Sequence, residues 1–156
     1  MPLIIRAPGV AKRELVSAQP VSLIDIYPTL IDLCSVSNST TKNGKGHPLD
    51  GHSLKPLLEN PANGEWTGPP SALTALYKWR MKYDPSQESY SLRSSDWRYI
   101  RYENGKEELY ATNADPHEWA NLADDPGNAQ RLQDFRNELK SRVPASGTAI
   151  PPQPAF

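Results

Sequence analysis

Large and polar side chains alternate along two neighbouring segments in the middle of the chain. The first segment runs from Glu88 to Arg93 and the second from Trp97 to Tyr102, with the turn-forming residues Ser94-Ser95-Asp96 between them. Asn104-Gly105 then leads into a further apolar stretch at residues 108–112. Alternation with a period of two, broken by tight turns, is typical of antiparallel strands that lie side by side. This part of the chain therefore predicts a β-meander.

Apolar residues with a helical period follow the meander. Leu132, Phe135 and Leu139 are spaced i, i+3 and i+7, which predicts an amphipathic helix from Asn128 to Arg142. Residues 74–79, before the meander, have the composition of one more strand. A helix of this kind buries its apolar side on a sheet, so we expect an α+β fold: a small antiparallel sheet of about four strands with a packed C-terminal helix.

A second helical pattern lies near the N terminus, at residues 21–35. Ser22 is placed to cap this helix, and Pro28 either kinks it or marks its true first turn. Its apolar residues fall on one face, which we expect to be buried: Leu23, Ile26, Tyr27, Leu30, Ile31 and Cys34. Leu3-Ile4-Ile5 predicts a short buried strand whose sheet partners lie elsewhere. Gly51–Leu58 predicts a turn with a short helical piece.

The composition argues against several classes of function. Seventeen Lys and Arg against eighteen Asp and Glu leave a formal charge of −1. No global field therefore attracts nucleic acid or an anionic membrane surface, and we expect neither as a partner. The apolar runs are too short for a signal peptide or a spanning helix. A single cysteine excludes an internal disulfide and a zinc site built from several thiolates.

Few residues suggest chemistry of their own. Cys34 lies on the apolar face of the first helix, so we expect a small core residue rather than a nucleophile. Asp115 and the pair Asp124-Asp125 flank prolines, where short carboxylates cap helices and close turns. Asn38-Ser39-Thr40 matches the glycosylation acceptor pattern. The three histidines lack the spacing of a metal site and are expected in loops: His47, His52 and His117. We predict no catalytic residue, metal ligand or cofactor in this chain.

Lys78, Trp79 and Arg80 form the cluster best suited to binding a ligand. Two cations beside an indole suit the stacking of a sugar and the holding of an anion. The alternative is a solvated strand end whose tryptophan packs on the sheet. The substrate-binding prediction for this chain is therefore Lys78, Trp79 and Arg80.

Several segments, in order, resemble the C-terminal region of sulfatases of the alkaline-phosphatase-like superfamily, most closely the iduronate-2-sulfatase-like branch. Residues 21–30 resemble the family's "D-x-x-P-T-L" helix, and residues 50–58 its "D-G-x-S-L-x-P-L-L" stretch. The closing series "R-x-x-x-W-R-Y", "E-L-Y-x-x-x-x-D-P-x-E" and "N-L-A" is similar to residues 93–99, 108–118 and 121–123.

The resemblance implies a division of the chain. Residues 1–70 correspond to a strand-helix remnant at the C-terminal edge of the large α/β sulfatase domain, with connecting loops. Residues 71–143 correspond to the C-terminal antiparallel subdomain, and residues 144–156 are expected to form a flexible, proline-rich tail. The missing N-terminal sulfatase domain is the implied partner, and sulfated carbohydrate the implied ligand.

The resemblance also implies sulfate-ester hydrolysis by a formylglycine, made in a C/S-x-P-x-R motif, with calcium holding the sulfate. Cys34-Ser35-Val36-Ser37-Asn38 departs from that motif, with valine in place of proline and asparagine in place of arginine. The family's metal-binding aspartates precede the segment matched by Leu3–Ile5. Calcium and formylglycine are therefore implied for the full-length enzyme, and this chain is expected to be inactive alone. Two hypotheses follow: an enzyme fragment, or a free-standing binding or interaction module derived from the subdomain.

Overall fold

The computed structural model describes residues 2–11, 14–36, 48–62, 64–77 and 85–143. Their contacts divide the chain between Pro70 and Ser71 into two compact units. None of the described helices is long and apolar enough to cross a membrane.

The second unit is built on a four-stranded antiparallel sheet with strands in the order β1-β2-β3-β4. The strands are β1 (Ala72–Leu76), β2 (Ser89–Arg93), β3 (Trp97–Arg101) and β4 (Glu107–Ala111). The predicted meander is confirmed, because every strand pairs with its neighbour in sequence. Gly105 closes the β3–β4 turn at φ +79°, a conformation that a residue with a β-carbon rarely adopts.

The core of this unit forms where one row of residues crosses the sheet. Leu92, Tyr99 and Leu109 face each other across β2, β3 and β4, and each is fully buried. The helix α3 (Ala129–Arg142) covers this row with Leu132, Phe135 and Leu139. The ring of Phe135 stacks on Tyr99 with centroids 5.7 Å apart. The predicted α+β fold with a packed C-terminal helix is therefore confirmed.

The edge of the sheet at β4 is closed by the segment that follows it. Asn121 Oδ1 accepts a hydrogen bond from the Leu109 amide at 3.0 Å, and the Leu122 amide donates to the Leu109 carbonyl at 2.8 Å. The "N-L-A" residues thus satisfy backbone groups that an open edge strand would leave unpaired. Asp115 and Asp125 close turns as predicted, since they accept bonds from the amides of Ala120 and Gly127, both at 2.9 Å.

The described residues of the first unit include two short helices, α1 (Ile26–Leu33) and α2 (Lys55–Glu59). A 3-10 turn at Leu23–Asp25 leads into α1, with Ser22 at the position before the turn. Pro28 falls in the first turn of α1, where a missing amide donor costs nothing, so it does not kink the helix. The helical piece predicted within Gly51–Leu58 corresponds to α2.

Two expectations for the first unit are wrong. Leu3–Ile5 forms no strand in the described structure, and Ile4 is 90% exposed, because an apolar run becomes a strand only beside a partner that offers backbone hydrogen bonds. The apolar face of α1 is not buried either. Leu23, Tyr27 and Leu30 are more than half exposed, whereas Asp25 and Thr29 are buried.

Candidate functional site

The two sulfatase-like motifs of the first unit are joined by a small buried network of hydrogen bonds. The Asp25 carboxylate accepts from the amides of Ser22 at 2.7 Å and His52 at 2.8 Å. The Thr29 hydroxyl donates to the Asp25 carbonyl at 2.5 Å and accepts from the Leu54 amide at 2.8 Å. The polar residues of "D-x-x-P-T-L" therefore hold the "D-G-x-S-L" segment by its backbone.

Gly51 explains why this segment approaches α1 so closely. A β-carbon at Gly51 would lie 2.1 Å from the carbonyl oxygen of Ile24, which belongs to the rigid backbone of the helical turn. Only glycine fits this approach.

Farther along α1, the exposed Asp32 carboxylate accepts a hydrogen bond from the Ser53 hydroxyl at 2.7 Å and lies 3.4 Å from the ammonium group of Lys55. The Ser53 bond is the main cause that lowers the pKa of Asp32.

The opposite face of α1 is apolar and open. Leu23, Ile24, Tyr27 and Leu30 are each more than half exposed. Cys34 is also exposed, so the prediction that it is a core residue is wrong. The reason is that the helix uses its polar side for internal contacts and turns the apolar side outward. In a globular protein the reverse arrangement is usual.

The histidines occupy different surroundings. The ring of His52 lies against Trp66 with centroids 5.8 Å apart, and His117 stacks on the largely exposed Trp119 at 4.9 Å. His47 and the pattern Asn38-Ser39-Thr40 lie outside the described residues. In the described part of the chain, no group of three or more His, Cys, Asp or Glu side chains could hold a metal ion.

The structure adds two tyrosine-carboxylate clusters that the sequence did not indicate. The Tyr99 hydroxyl donates to Glu107 at 2.6 Å, and Arg136 forms a bidentate ion pair with the same carboxylate. The Arg136 hydrogen bonds lower the pKa of Glu107, while burial raises that of Tyr99. In the other cluster, burial and a hydrogen bond to Glu108 raise the pKa of Tyr110 to about 12. Such phenols remain protonated and serve as hydrogen-bond donors rather than bases.

A cavity of about 430 Å³ lies at one end of the second unit. Residues of β1 and the start of β2 line it together with the end of α3: Leu73, Ala75, Tyr77, Glu88, Tyr90, Arg142 and Val143. Glu88 is only 4% exposed. The predicted ligand-binding residues Lys78, Trp79 and Arg80 lie outside the described residues. Sequence reasoning missed Glu88, because one glutamate before a strand is usually a surface residue.

Comparison with known proteins gives a consistent family match. Residues 1–144 match the family model described as N-sulphoglucosamine sulphohydrolase, C-terminal. Arylsulfatase K of Gallus gallus is 36% identical over 129 residues, which cover 79% of this chain and 22% of that protein. The chain therefore spans about a fifth of the length of this curated relative.

Two solved structures share the fold. The 2-O GAG sulfatase BT1596 aligns with a TM-score of 0.55 at 26% identity, over 78% of this chain and 27% of that one. The phosphonate monoester hydrolase SpPMH from Silicibacter pomeroyi aligns with a TM-score of 0.63 at 22% identity, over 88% of this chain and 27% of that one. At the lower identity the likeness concerns the fold alone.

Proposed function

The chain belongs to the family of sulfatase C-terminal regions, and we propose that it serves as the C-terminal part of an enzyme that hydrolyses sulfate esters of carbohydrates. Its motifs suggest the iduronate-2-sulfatase-like branch. The similarity to a 2-O GAG sulfatase, at 26% identity over 78% of this chain, supports a sulfated polysaccharide as substrate.

The outward apolar face of α1 is the observation that carries this proposal. Leu23, Tyr27 and Leu30 leave a continuous apolar side on a helix whose polar side is already used. Burying such a face gains about 25 cal/mol for each square ångström removed from water. We infer that the face packs against the N-terminal catalytic part of the enzyme.

The chain alone is proposed to be inactive. It contains no C/S-x-P-x-R sequence from which a formylglycine could be made. In the full-length enzyme, formylglycine and calcium would supply the nucleophile and the charge that stabilises the departing sulfate. The residues described here do not supply these groups. The contribution of this chain is to complete the fold around the site and, through Lys78, Trp79 and Arg80, to contact the substrate.

We assign the substrate contact to Lys78, Trp79 and Arg80 on the strength of their chemistry. An indole stacks on a sugar ring, and two neighbouring cations attract its sulfate groups. This contact would act on extended substrates, because a small aryl sulfate reaches only the reacting centre.

A fusion protein tests whether the chain serves as the C-terminal part of a sulfatase. Residues 1–143 replace the corresponding C-terminal part of Gallus gallus arylsulfatase K, and hydrolysis of an aryl sulfate is compared with that by the same enzyme without any C-terminal part. We expect activity only when the part is present, and none from the isolated chain. In the fusion, Leu30→Asp should abolish activity and soluble expression, while Leu30→Met should retain both. Full activity of the Leu30→Asp fusion would contradict the docking role of this face.

The substrate contact is tested in the same fusion. Lys78→Ala/Arg80→Ala should raise KM for a sulfated oligosaccharide several-fold and leave the hydrolysis of the small aryl sulfate unchanged. Lys106→Ala, in the exposed β3–β4 turn, serves as the matched control because it removes one cation elsewhere. An equal loss for both substrates would show that the pair acts on folding rather than on sugar binding.

The alternative, a free-standing binding module, is favoured by one observation. The second unit has a complete core of its own, with Leu92, Tyr99 and Leu109 fully buried under α3. A module of this kind would bind a sulfated oligosaccharide without a catalytic part. Saturable binding by the isolated chain, lost in Lys78→Ala/Arg80→Ala, would support the module over the enzyme part.

A further inference from the structure

Glu88 is a buried residue whose carboxylate keeps one oxygen without a hydrogen-bond partner among the described residues. It is 4% exposed, and no hydrogen-bond donor among the described residues reaches its Oε1 atom. Buried carboxylate oxygens in native proteins nearly always meet a donor, because the loss of water is otherwise uncompensated. Glu88 is one of the residues that line the cavity beside β1, so a molecule bound there lies against this residue.

Arg142, the cation among the lining residues, already pairs with other groups. Arg142 Nη1 donates to the Ser71 carbonyl at 2.7 Å and to Glu138 Oε1 at 3.0 Å. Glu138 therefore balances the charge of Arg142, and its second oxygen accepts from the Ser71 hydroxyl at 2.9 Å. Among the described residues, no cation is left in the lining to pair with the carboxylate of Glu88, which favours a cationic ligand.

The other lining residues indicate what kind of molecule would carry the cationic group. Leu73, Ala75 and Val143 are apolar, and the aromatic residues Tyr77 and Tyr90 complete the lining. A sugar would bury several hydroxyl groups against the aliphatic walls without partners, at a cost for each. A metal ion would need more ligands than one carboxylate supplies. The volume lies within the range of small-molecule sites, roughly 300–1,000 Å³.

We propose that this cavity binds a protonated primary amine carried on an apolar or aromatic body. Glu88 accepts a charge-assisted hydrogen bond from the ammonium group, and Leu73, Ala75 and Tyr77 contact the body of the ligand. The site lies wholly within the second unit and does not depend on the sulfatase assignment.

Titration of the full chain with 2-phenylethylamine tests the proposal, with 2-phenylethanol as a neutral probe of the same shape. Calorimetry should detect saturable binding of the amine and much weaker binding of the alcohol. Glu88→Gln keeps the shape and removes the charge, so it should weaken amine binding by about tenfold to a hundredfold. Asp124→Asn makes the same chemical change at an exposed carboxylate outside the lining and should leave binding unchanged.

A second variant tests the role of the cavity independently of the charge of Glu88. Ala75→Leu fills the cavity without changing its charge and should abolish binding of both probes, while circular dichroism confirms that the variant is folded. The proposal is overturned by unchanged amine affinity in Glu88→Gln, by equal affinity for the alcohol, or by no saturable binding to the original chain.

A cation of the chain itself could pair with Glu88 in place of a bound amine. Lys78, Arg80 and Lys82 are the candidates, because they lie between Tyr77 and Glu88 in the sequence. Their combined replacement by glutamine should leave amine affinity within about twofold of the original, because the proposed site is open to external ligands. If the amine binds only after this replacement, the partner of Glu88 is a cation of the chain itself and the proposal is wrong.

Discussion

Asp25→Asn tests the idea that one buried carboxylate joins the two motifs of the first unit. The substitution preserves the size of the side chain. Its single carbonyl oxygen is able to accept one of the two amide hydrogen bonds, from Ser22 or from His52, that the carboxylate accepts now. Its NH2 group then points at the other backbone N–H, so that two donors face each other in a site that is 96% buried, since Asp25 is 4% exposed.

The expected cost follows from these contacts. A hydrogen bond to a charged group is worth about 1.5–3 kcal/mol, and a buried donor without an acceptor costs about 1–3 kcal/mol. Because the two contributions overlap, we expect Asp25→Asn to destabilise the first unit by about 2–4 kcal/mol. Asp32→Asn is the matched control on the same helix. Its carboxylate is exposed, so the loss of the Lys55 pair should cost less than about 1 kcal/mol.

Hydrogen exchange measured residue by residue is the suitable assay, because the two units need not unfold together. Asp25→Asn should accelerate exchange at the amides of His52 and Leu54 by about thirtyfold to a thousandfold, and Asp32→Asn should change it by less than about tenfold. The reasoning is refuted if both variants exchange alike, or if protection at His52 survives the loss of the Asp25 charge.

Three further predictions concern packing and pH. Gly51→Ala should destabilise the first unit by about 1–3 kcal/mol in urea unfolding, because the new β-carbon meets the Ile24 carbonyl; an unchanged midpoint would contradict this close approach. Leu139→Ala should cost the second unit about 2–5 kcal/mol in thermal unfolding, and a loss below about 1 kcal/mol would mean that the helix is not fully packed. Glu107 has a pKa below its ordinary value of 4.5, chiefly because Arg136 donates to it. Its contribution is present above about pH 4.5 and lost as the pH falls through the folded-state pKa, so the Glu107→Gln variant should lose less stability than the original chain between about pH 6 and pH 3.

The second unit could be predicted from sequence because its core is made by its own residues. Alternation placed Leu92, Tyr99 and Leu109 on one face of the meander, and the helical period placed Phe135 and Leu139 on the facing side of α3. Every contact needed to bury these residues comes from the same short stretch of chain. The bounds of β1 differed at both ends, since the strand runs over Ala72–Leu76, whereas the composition had indicated residues 74–79.

The first unit could not be predicted in the same way, because periodicity identifies an apolar face but not what covers it. The spacing of Leu23, Tyr27 and Leu30 is that of a core face, and the structure shows it exposed. The error at Cys34 has the same origin. The substrate-binding role of Lys78–Arg80 stays a prediction. Glu88 could be identified only from its burial and from the residues that line the cavity around it.

The contrast between the two units explains the structural roles of the residues in the "D-x-x-P-T-L" motif. In "D-x-x-P-T-L" the polar residues Asp25 and Thr29 make the internal contacts, and Leu30 points away from them. Each neutral hydrogen bond of this kind contributes only about 0.5–1.5 kcal/mol, and Leu54 and Leu57 add buried apolar surface. Covering the apolar side of α1 would add further stability to the unit. We therefore interpret the motif as two-sided, with a polar side that fixes the following segment and an apolar side for which we propose a docking role.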